Sequence, residues 1–455
     1  MLTLAVSSLR FRTATFLAIF VNVLLGAAIL MAFASLFDTA DAGGLSSADR
    51  SSVTTIAWVV GGWGALIVAF GVASTLNLSV RQRETELALL RSAGATPGQV
   101  GRMIVGEAAI VSAAAAVLAI PAGWAISRYL VHQLVDHHVV AASTQPHFGW
   151  LALGVGLGDT FVAASVAALI SARRASRLTI RAALTSAAVE RRGLGWKRLT
   201  TGCVFLLIGV DVAALAATVF DDGTYLTEAL AGEACIWTGV GFAFLAPSFV
   251  RAGTRVLRLL LRPFSGVSGY LADLNVRQRS SQTAGVLIPL VLFIGLGGGS
   301  LGLQDIQNHA LSVAHRVQTA DDKGLELVNL TIVGLLAVFT AVVLINIAIA
   351  TTVNRQAEFG QQRLIGSTRS QVLRMVFVES AVTTVTGLVL GAVAAAAGTV
   401  AFSIALSRTA VPHVEPGTYL GVAVTAVLLT FLANLGAAGR AVRRPALAAV
   451  AGAGT

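Results

Sequence analysis

Ten long apolar runs, separated by short polar segments, set the rhythm of this chain. They fall at roughly 14–36, 53–76, 105–127, 149–171, 199–220, 231–250, 284–303, 326–350, 375–406 and 417–437. A helix of about 20 residues spans a hydrocarbon layer about 30 Å thick, so each run is long enough to cross a bilayer. The ninth is longer than one crossing needs. The pattern predicts an all-α polytopic membrane protein with ten transmembrane helices. Composition agrees, with 56% hydrophobic and only 12% charged residues in 455 and a mean hydropathy of +0.80. Soluble domains carry about a quarter charged residues.

The charges order the runs. With both termini on one side, the segments on that side hold 27 of the 32 Lys and Arg residues, and the opposite loops hold only Arg50, Arg128, Arg316, Lys323 and Arg408. The excess of basic residues marks the cytoplasmic face, so both termini are expected inside. A missed or extra span would destroy this asymmetry. The sequence pI near 10.8 therefore reflects membrane orientation and gives no reason to expect a nucleic-acid partner. Thirty of the 32 basic residues are Arg, beside abundant Ala and Gly. That bias suits a GC-rich bacterial genome, hence a multi-pass protein of the bacterial plasma membrane. The first run follows Arg10 and Arg12 without a cleavage site and reads as a retained helix. Cys203 and Cys235 belong to opposite ends of their spans and supply neither a disulfide framework nor a metal motif.

One polar interruption occurs twice. Shifted by 272 positions, Arg83–Glu107 aligns without a gap on Arg355–Glu379, and ten of the 25 positions are identical. They are Arg83, Glu86, Arg91, Gly94, Thr96, Gln99, Val100, Arg102, Met103 and Glu107, against Arg355, Glu358, Arg363, Gly366, Thr368, Gln371, Val372, Arg374, Met375 and Glu379. Other landmarks agree loosely: "LAVSSLRFR" before the first span resembles "LADLNVRQR" before the seventh, and Arg174-Ala-Ser-Arg177 echoes Arg440-Ala-Val-Arg443. The chain therefore reads as two four-helix repeats joined by two linking helices. The first repeat is expected at 1–184 with its elbow at 81–104, the linking spans at 185–262, and the second repeat at 263–455 with its elbow at 353–376. Six crossings separate equivalent spans, so the repeats run parallel, which excludes a five-plus-five inverted carrier.

Each elbow reads as a helix continuing from the span before it, a sharp turn, and a new helix entering the membrane. Gly94 and Gly366 suit the left-handed residue that ends a helix. Thr96 and Thr368 open the next helix in a Thr-x-x-Gln capping box with Gln99 and Gln371, and Pro97 suits a first helical position. At 100° per residue Arg83, Glu86, Arg91 and Gly94 share one arc of about 140°. The plainer reading makes this arc a packing stripe with Arg83–Glu86 as an exposed ion pair of little value. The sharper reading makes it a docking surface for a two-fold symmetric partner. Glu107 and Glu379, about 6 Å into their apolar runs by helix rise, are expected at the inner interface.

The pattern R-x-x-E-x-x-x-x-R-x-x-G-A/S-T-x-x-Q, framed by spans and duplicated, resembles the FtsX/MacB-type permeases of ABC transporters. The resemblance covers about 25 residues in each half, and the four-two-four plan extends it over nearly the whole chain. It implies a coupling elbow docking on a cytoplasmic ABC ATPase homodimer through Arg83, Glu86, Arg91, Gly94, Thr96 and Gln99, and through Arg355, Glu358, Arg363, Gly366, Thr368 and Gln371. The chain has no G-x-x-x-x-G-K-[ST] phosphate loop; "GLGGGSLG" lies in the seventh span and lacks the Lys. ATP and Mg are thus expected in the partner chain, with no cofactor and no enzyme activity in this one. Members often carry a large external domain, but here the external segments at 37–52 and 304–325 are short. The implied function is export or extrusion of an amphipathic peptide, antibiotic or lipid from the bilayer. The alternative is a non-transporting mechanical or sensory subunit controlling a cell-wall hydrolase or a sensor kinase.

Asp159 and Asp211 stand well inside apolar runs, where an ionisable group is costly and faces a cavity or a partner. Neither has a counterpart in the other half, which argues against a duplicated proton relay. All seven histidines, including His132, His137 and His138, fall in or beside external loops, and no metal-ligand spacing is complete. No metal is expected. Pro121, Pro247 and Pro289 read as kinks or helix ends.

Overall fold

The computed structural model describes residues 13–43, 45–81, 83–177, 195–219, 225–278, 280–313, 315 and 320–447. The basic pair Arg10 and Arg12 and the segment "LAVSSLRFR" lie outside the described residues, as does Arg316. All secondary structure among the described residues is helical: α1 (Thr13–Asp41), α2 (Ser47–Arg81), α3 (Glu84–Ser92), α4 (Pro97–Asp136), α5 (Trp150–Arg177), α6 (Trp196–Thr218), α7 (Tyr225–Gln278), α8 (Ser280–Val313), α9 (Ala320–Val353), α10 (Gln356–Leu364), α11 (Arg369–Ser407) and α12 (Pro416–Arg443). Ten of them are long and apolar enough to cross a membrane, one for each run in the sequence. Only α3 and α10, nine residues each, are too short, and they are the two elbow helices.

By packing, the chain divides into two units, Met1–Ala188 with Leu311–Thr340, and Val189–Ala310 with Ala341–Thr455. The units are drawn differently from the sequence repeats. The linking spans group with the second repeat, and the first part of α9 groups with the first.

In the first unit α1 is the central helix, and the stretch Ala27–Leu36 is buried on every side. A helix that is apolar all round suits the centre of a membrane bundle, where every face meets another helix or lipid. Small residues bring its neighbours close: Ala27, Ala28 and Met31 pack against Ala116 and Ala119 of α4. A Cβ on Gly123 would come within 2.9 Å of Met31 Cβ, so only glycine fits this crossing. Without a hydrophobic effect to press helices together in lipid, such close approach is what holds them. Polar bonds add to it inside the bundle, from Asn22 Nδ2 to Thr75 Oγ1 at 2.6 Å and between the hydroxyls of Ser35 and Ser127 at 2.5 Å.

In the second unit α8 takes the same central place. Leu287, Leu290 and Val291 are buried, and Leu287 and Val291 pack with Phe242, Val250, Val382 and Leu390. By contrast α6 buries little beyond Gly202, Gly209, Ala216 and Ala217. Its exposed Val204, Leu207 and Val210 have the character of a lipid-facing surface.

At the ends away from the elbows, each repeat joins its first span to its last through an acid that the sequence pattern does not single out. Asp38 of α1 accepts backbone N–H bonds from Gly149, Leu151 and Ala152 at 2.9, 3.1 and 2.8 Å. It caps α5 from a distance in sequence, satisfying N–H groups that the first turn leaves free. Asp305 of α8 plays the equivalent part in the second unit, accepting from Glu415 N at 3.1 Å at the start of α12.

Candidate functional site

The two elbows have the same construction. Each elbow helix ends in a Schellman motif. Gly94 N donates to Arg91 O at 3.1 Å and Ala95 N to Leu90 O at 3.0 Å; Gly366 N donates to Arg363 O at 3.2 Å and Ser367 N to Gln362 O at 3.0 Å. Gly94 and Gly366 sit at φ +98° and +106°, where a Cβ costs about 1–2 kcal/mol. We expect Gly366→Ala to raise the rate of proteolytic cleavage at its elbow about fivefold, the population change that corresponds to about 1 kcal/mol. Limited proteolysis of the purified chain checks it. The next helices open with complete capping boxes at Thr96–Gln99 and Thr368–Gln371. An apolar seam closes each hairpin: Leu87 with Val100 and Ile104 in the first, Phe359 with Val372, Met375 and Val376 in the second.

The entry to each elbow corrects the expectation. The preceding span does not run on as one helix: α2 ends at Arg81 and α9 at Val353, and Arg83 and Arg355 occupy turns at φ −107° and −95° before α3 and α10 begin. The turn swings each Arg inward. Arg83 Nη1 donates to Glu107 Oε2, with both side chains under a tenth exposed. Arg355 Nη1 donates to Glu379 Oε2, and its Nη2 to Glu379 Oε1 at 3.0 Å. These two buried ion pairs, each 24 residues apart in sequence, tie the start of an elbow helix to the first turns of the following span. The expected exposed Arg83–Glu86 stripe gives way to this clasp because a guanidinium beside a buried carboxylate offsets a desolvation cost that Glu107 alone could not bear. The sequence pattern places Glu107 and Glu379 with their elbows. The identity of the pairs is legible only in the repeat, as an Arg and a Glu kept in both copies at one spacing.

The clasps differ in their surroundings. Arg83 lies over the ring of Phe16, with its Cζ 4.7 Å from the centroid, and its Nε and Nη2 are buried without hydrogen-bond partners. The ring face supplies the compensating electrostatics there. Around Arg355 every guanidinium nitrogen has a partner: Nε donates to Glu358 Oε2 at 3.1 Å and Nη2 to Glu358 Oε1 at 3.4 Å, with the ring of Phe359 at 5.1 Å. Asn275 Nδ2 adds a bond to Glu379 Oε1 at 3.0 Å.

Other residues expected to face a partner are also occupied. Arg363 turns sideways, its Nη1 donating to Val442 O at 3.0 Å and Arg444 O at 2.7 Å. It thereby fastens α10 to the carbonyl end of α12, where a cation is favoured. Arg91 is half-buried and Glu358 turns to Arg355, while Glu86 is exposed. What the elbow tips present instead is apolar: Leu89 and Leu90 in the first, 62% and 44% exposed, and Leu364 and Ile365 in the second, 54% and 88% exposed.

Of the intramembrane acids, Asp159 is half-buried with its Oδ2 lacking a hydrogen-bond partner. Asp211 is exposed on the outer face of α6. They belong to different units. No group of three or more His, Cys, Asp or Glu side chains able to hold a metal occurs among the described residues.

The model of the FtsX-like permease C-terminal family matches residues 58–180 and 330–446, each match containing one elbow and its clasp. No curated protein matches the sequence. The two matched stretches together make up more than half of the chain, which therefore belongs to the FtsX-like permease family, a family of ABC transporter membrane subunits, and carries its characteristic domain twice.

Proposed function

We propose that this chain is the membrane subunit of an ABC export complex, and that a separate ATPase homodimer grips its two elbows from the cytoplasm. The observation that carries the reading is the duplicated elbow itself. A short helix ending in exposed leucine or isoleucine is bound at one end to the following span by a buried ion pair. A push on such a helix is passed to the span and is not absorbed by a loose loop, since discrete, well-packed elements move as bodies. Glu86, Leu89 and Leu90 face the motor in the first elbow, and Leu364 and Ile365 in the second. ATP and Mg belong to that motor. The termini lie in the cytoplasm by the charge asymmetry, in a bacterial plasma membrane. The cargo is an amphipathic peptide, antibiotic or lipid leaving the bilayer; the short external segments offer little surface for a hydrolase or sensor to read, which disfavours the purely mechanical role.

Reconstitution tests the reading. Co-expressed with its ABC ATPase and placed in liposomes, the chain should co-purify with two ATPase copies and support ATP-dependent release of an amphipathic fluorescent probe. A chain that never retains an ATPase would overturn it. Retention with ATP hydrolysis but no probe movement, across peptides, antibiotics and lipids, would favour the mechanical role.

A further inference from the structure

Beside the second clasp, wholly within the second packing unit, lies a cavity of about 60 Å³. That is room for about four water molecules. Arg355 and Glu379 form part of its wall, with Thr351, Ser380 and Thr383 around them and Asn275 and Asn434 at its sides. The first repeat has Ala108 and Val111 at the positions of Ser380 and Thr383, and Val80 at that of Thr352. Only Ser79, at the position of Thr351, keeps a hydroxyl there, so a clasp of this kind stands with a thinner polar shell. The second copy carries hydrogen-bonding groups that the ion pair does not require.

Their bonds within the protein leave acceptors over. Thr351 and Thr383 donate their hydroxyl protons to helix carbonyls, Ile347 O at 2.9 Å and Glu379 O at 3.0 Å, so their oxygen lone pairs remain. Asn275 uses its amide N–H groups on Glu379 and Met375, which leaves its carbonyl oxygen. Ser380 is only 3% exposed, and its hydroxyl makes no hydrogen bond among the described residues. Against these acceptors Asn434, whose oxygen accepts from Thr352 at 3.2 Å, brings its amide N–H.

Charge then selects the occupant. All three nitrogens of Arg355 donate to Glu358 and Glu379, in four bonds of the five its N–H groups can make, so the guanidinium is spent mainly on carboxylates and not on a phosphate or other anion. The triad of one guanidinium and two carboxylates carries one net negative charge in a buried place. A divalent ion would need several carboxylate oxygens to itself, and these are committed to Arg355. We propose that the cavity binds a compact monovalent cation, an alkali-metal ion or ammonium, held by the oxygens of Asn275, Thr351, Ser380 and Thr383 beside Glu379. The proposal stands apart from the transport reading.

Ligand linkage provides the test. The melting temperature of the full chain in nanodiscs would be measured at one ionic strength in the chlorides of sodium, potassium, ammonium and N-methylglucamine. At least one compact cation should raise it by about 2 °C over the bulky one. The double variant Ser380→Ala with Thr383→Val, which copies the small and apolar residues of the first repeat, should lose that increment while keeping its melting point in N-methylglucamine. Asn275→Leu is read the same way should the double variant fail to insert. Equal melting points in all four salts overturn the proposal, as does an increment that survives the variants, which would place the cation elsewhere.

Discussion

Glu107→Leu is expected to cost the fold about 3–5 kcal/mol, the range for removing one partner of a buried ion pair. The side chains of Arg83 and Glu107 are 8% and 5% exposed, so the guanidinium left behind cannot reach water without opening the elbow. Among the described residues its Nε and Nη2 already lack hydrogen-bond partners, and the Phe16 ring lies over it. Glu379→Leu should cost less, since Arg355 keeps the Glu358 carboxylate. The order of the two variants is the specific content of this prediction. A third variant separates charge from packing: Arg83→Met with Glu107→Leu replaces the whole pair by apolar groups and should recover most of the loss, because it removes the uncompensated ion. Thermal and denaturant unfolding of the purified chain in detergent measure all three. Should the double variant be as unstable as Glu107→Leu, the pair would be needed for a reason other than burial. Should both single variants lose under 1 kcal/mol, water would be reaching the clasp.

How the sequence encodes this explains what can be read from it. The spans are legible because lipid demands about 20 apolar residues and a closed backbone hydrogen-bond ladder, whatever the packing partners. The elbow turns are legible because Gly94 with Thr96 and Gln99, and their copies, write a helix stop and start in local chemistry. The clasp is half legible. Comparing the repeats marks Arg83 and Glu107 as a matched set, but a periodicity argument assumes an unbroken helix through Arg83 and so sends its side chain outward. No Gly or Pro announces the break there; a tertiary contact 24 residues away makes it. Asp38 capping α5 and Arg363 capping α12 are hidden for the same reason, being long-range bonds without a local pattern. The apolar tips escape notice because Leu89, Leu90, Leu364 and Ile365 look ordinary in a chain that is mostly apolar. Only exposure distinguishes them.

That exposure leads to the second large effect, which tests the proposed docking. Leu89→Asp with Ile365→Asp should release the ATPase by about a thousandfold. Large side chains that become buried at the centre of an interface contribute about 2 kcal/mol each when truncated, and a carboxylate forced into an apolar groove adds a desolvation penalty. The two elbows would hold the two halves of one motor, so each grip keeps the other at high local concentration. Either single variant therefore keeps the complex together, weakened about thirtyfold. The double variant loses both grips, and effects at separate sites add. Titrating ATPase against the chain captured in nanodiscs gives all three affinities, and neither position touches the clasp, so folding is preserved and checked by the unchanged melting point. Tips that are merely lipid-facing would give a different pattern, with ATPase affinity unmoved in every variant. A grip confined to one elbow would show as one single variant matching the double. Only additive losses at Leu89 and Ile365 fit a motor that holds both elbows, because only then does each tip carry binding energy that the other cannot replace.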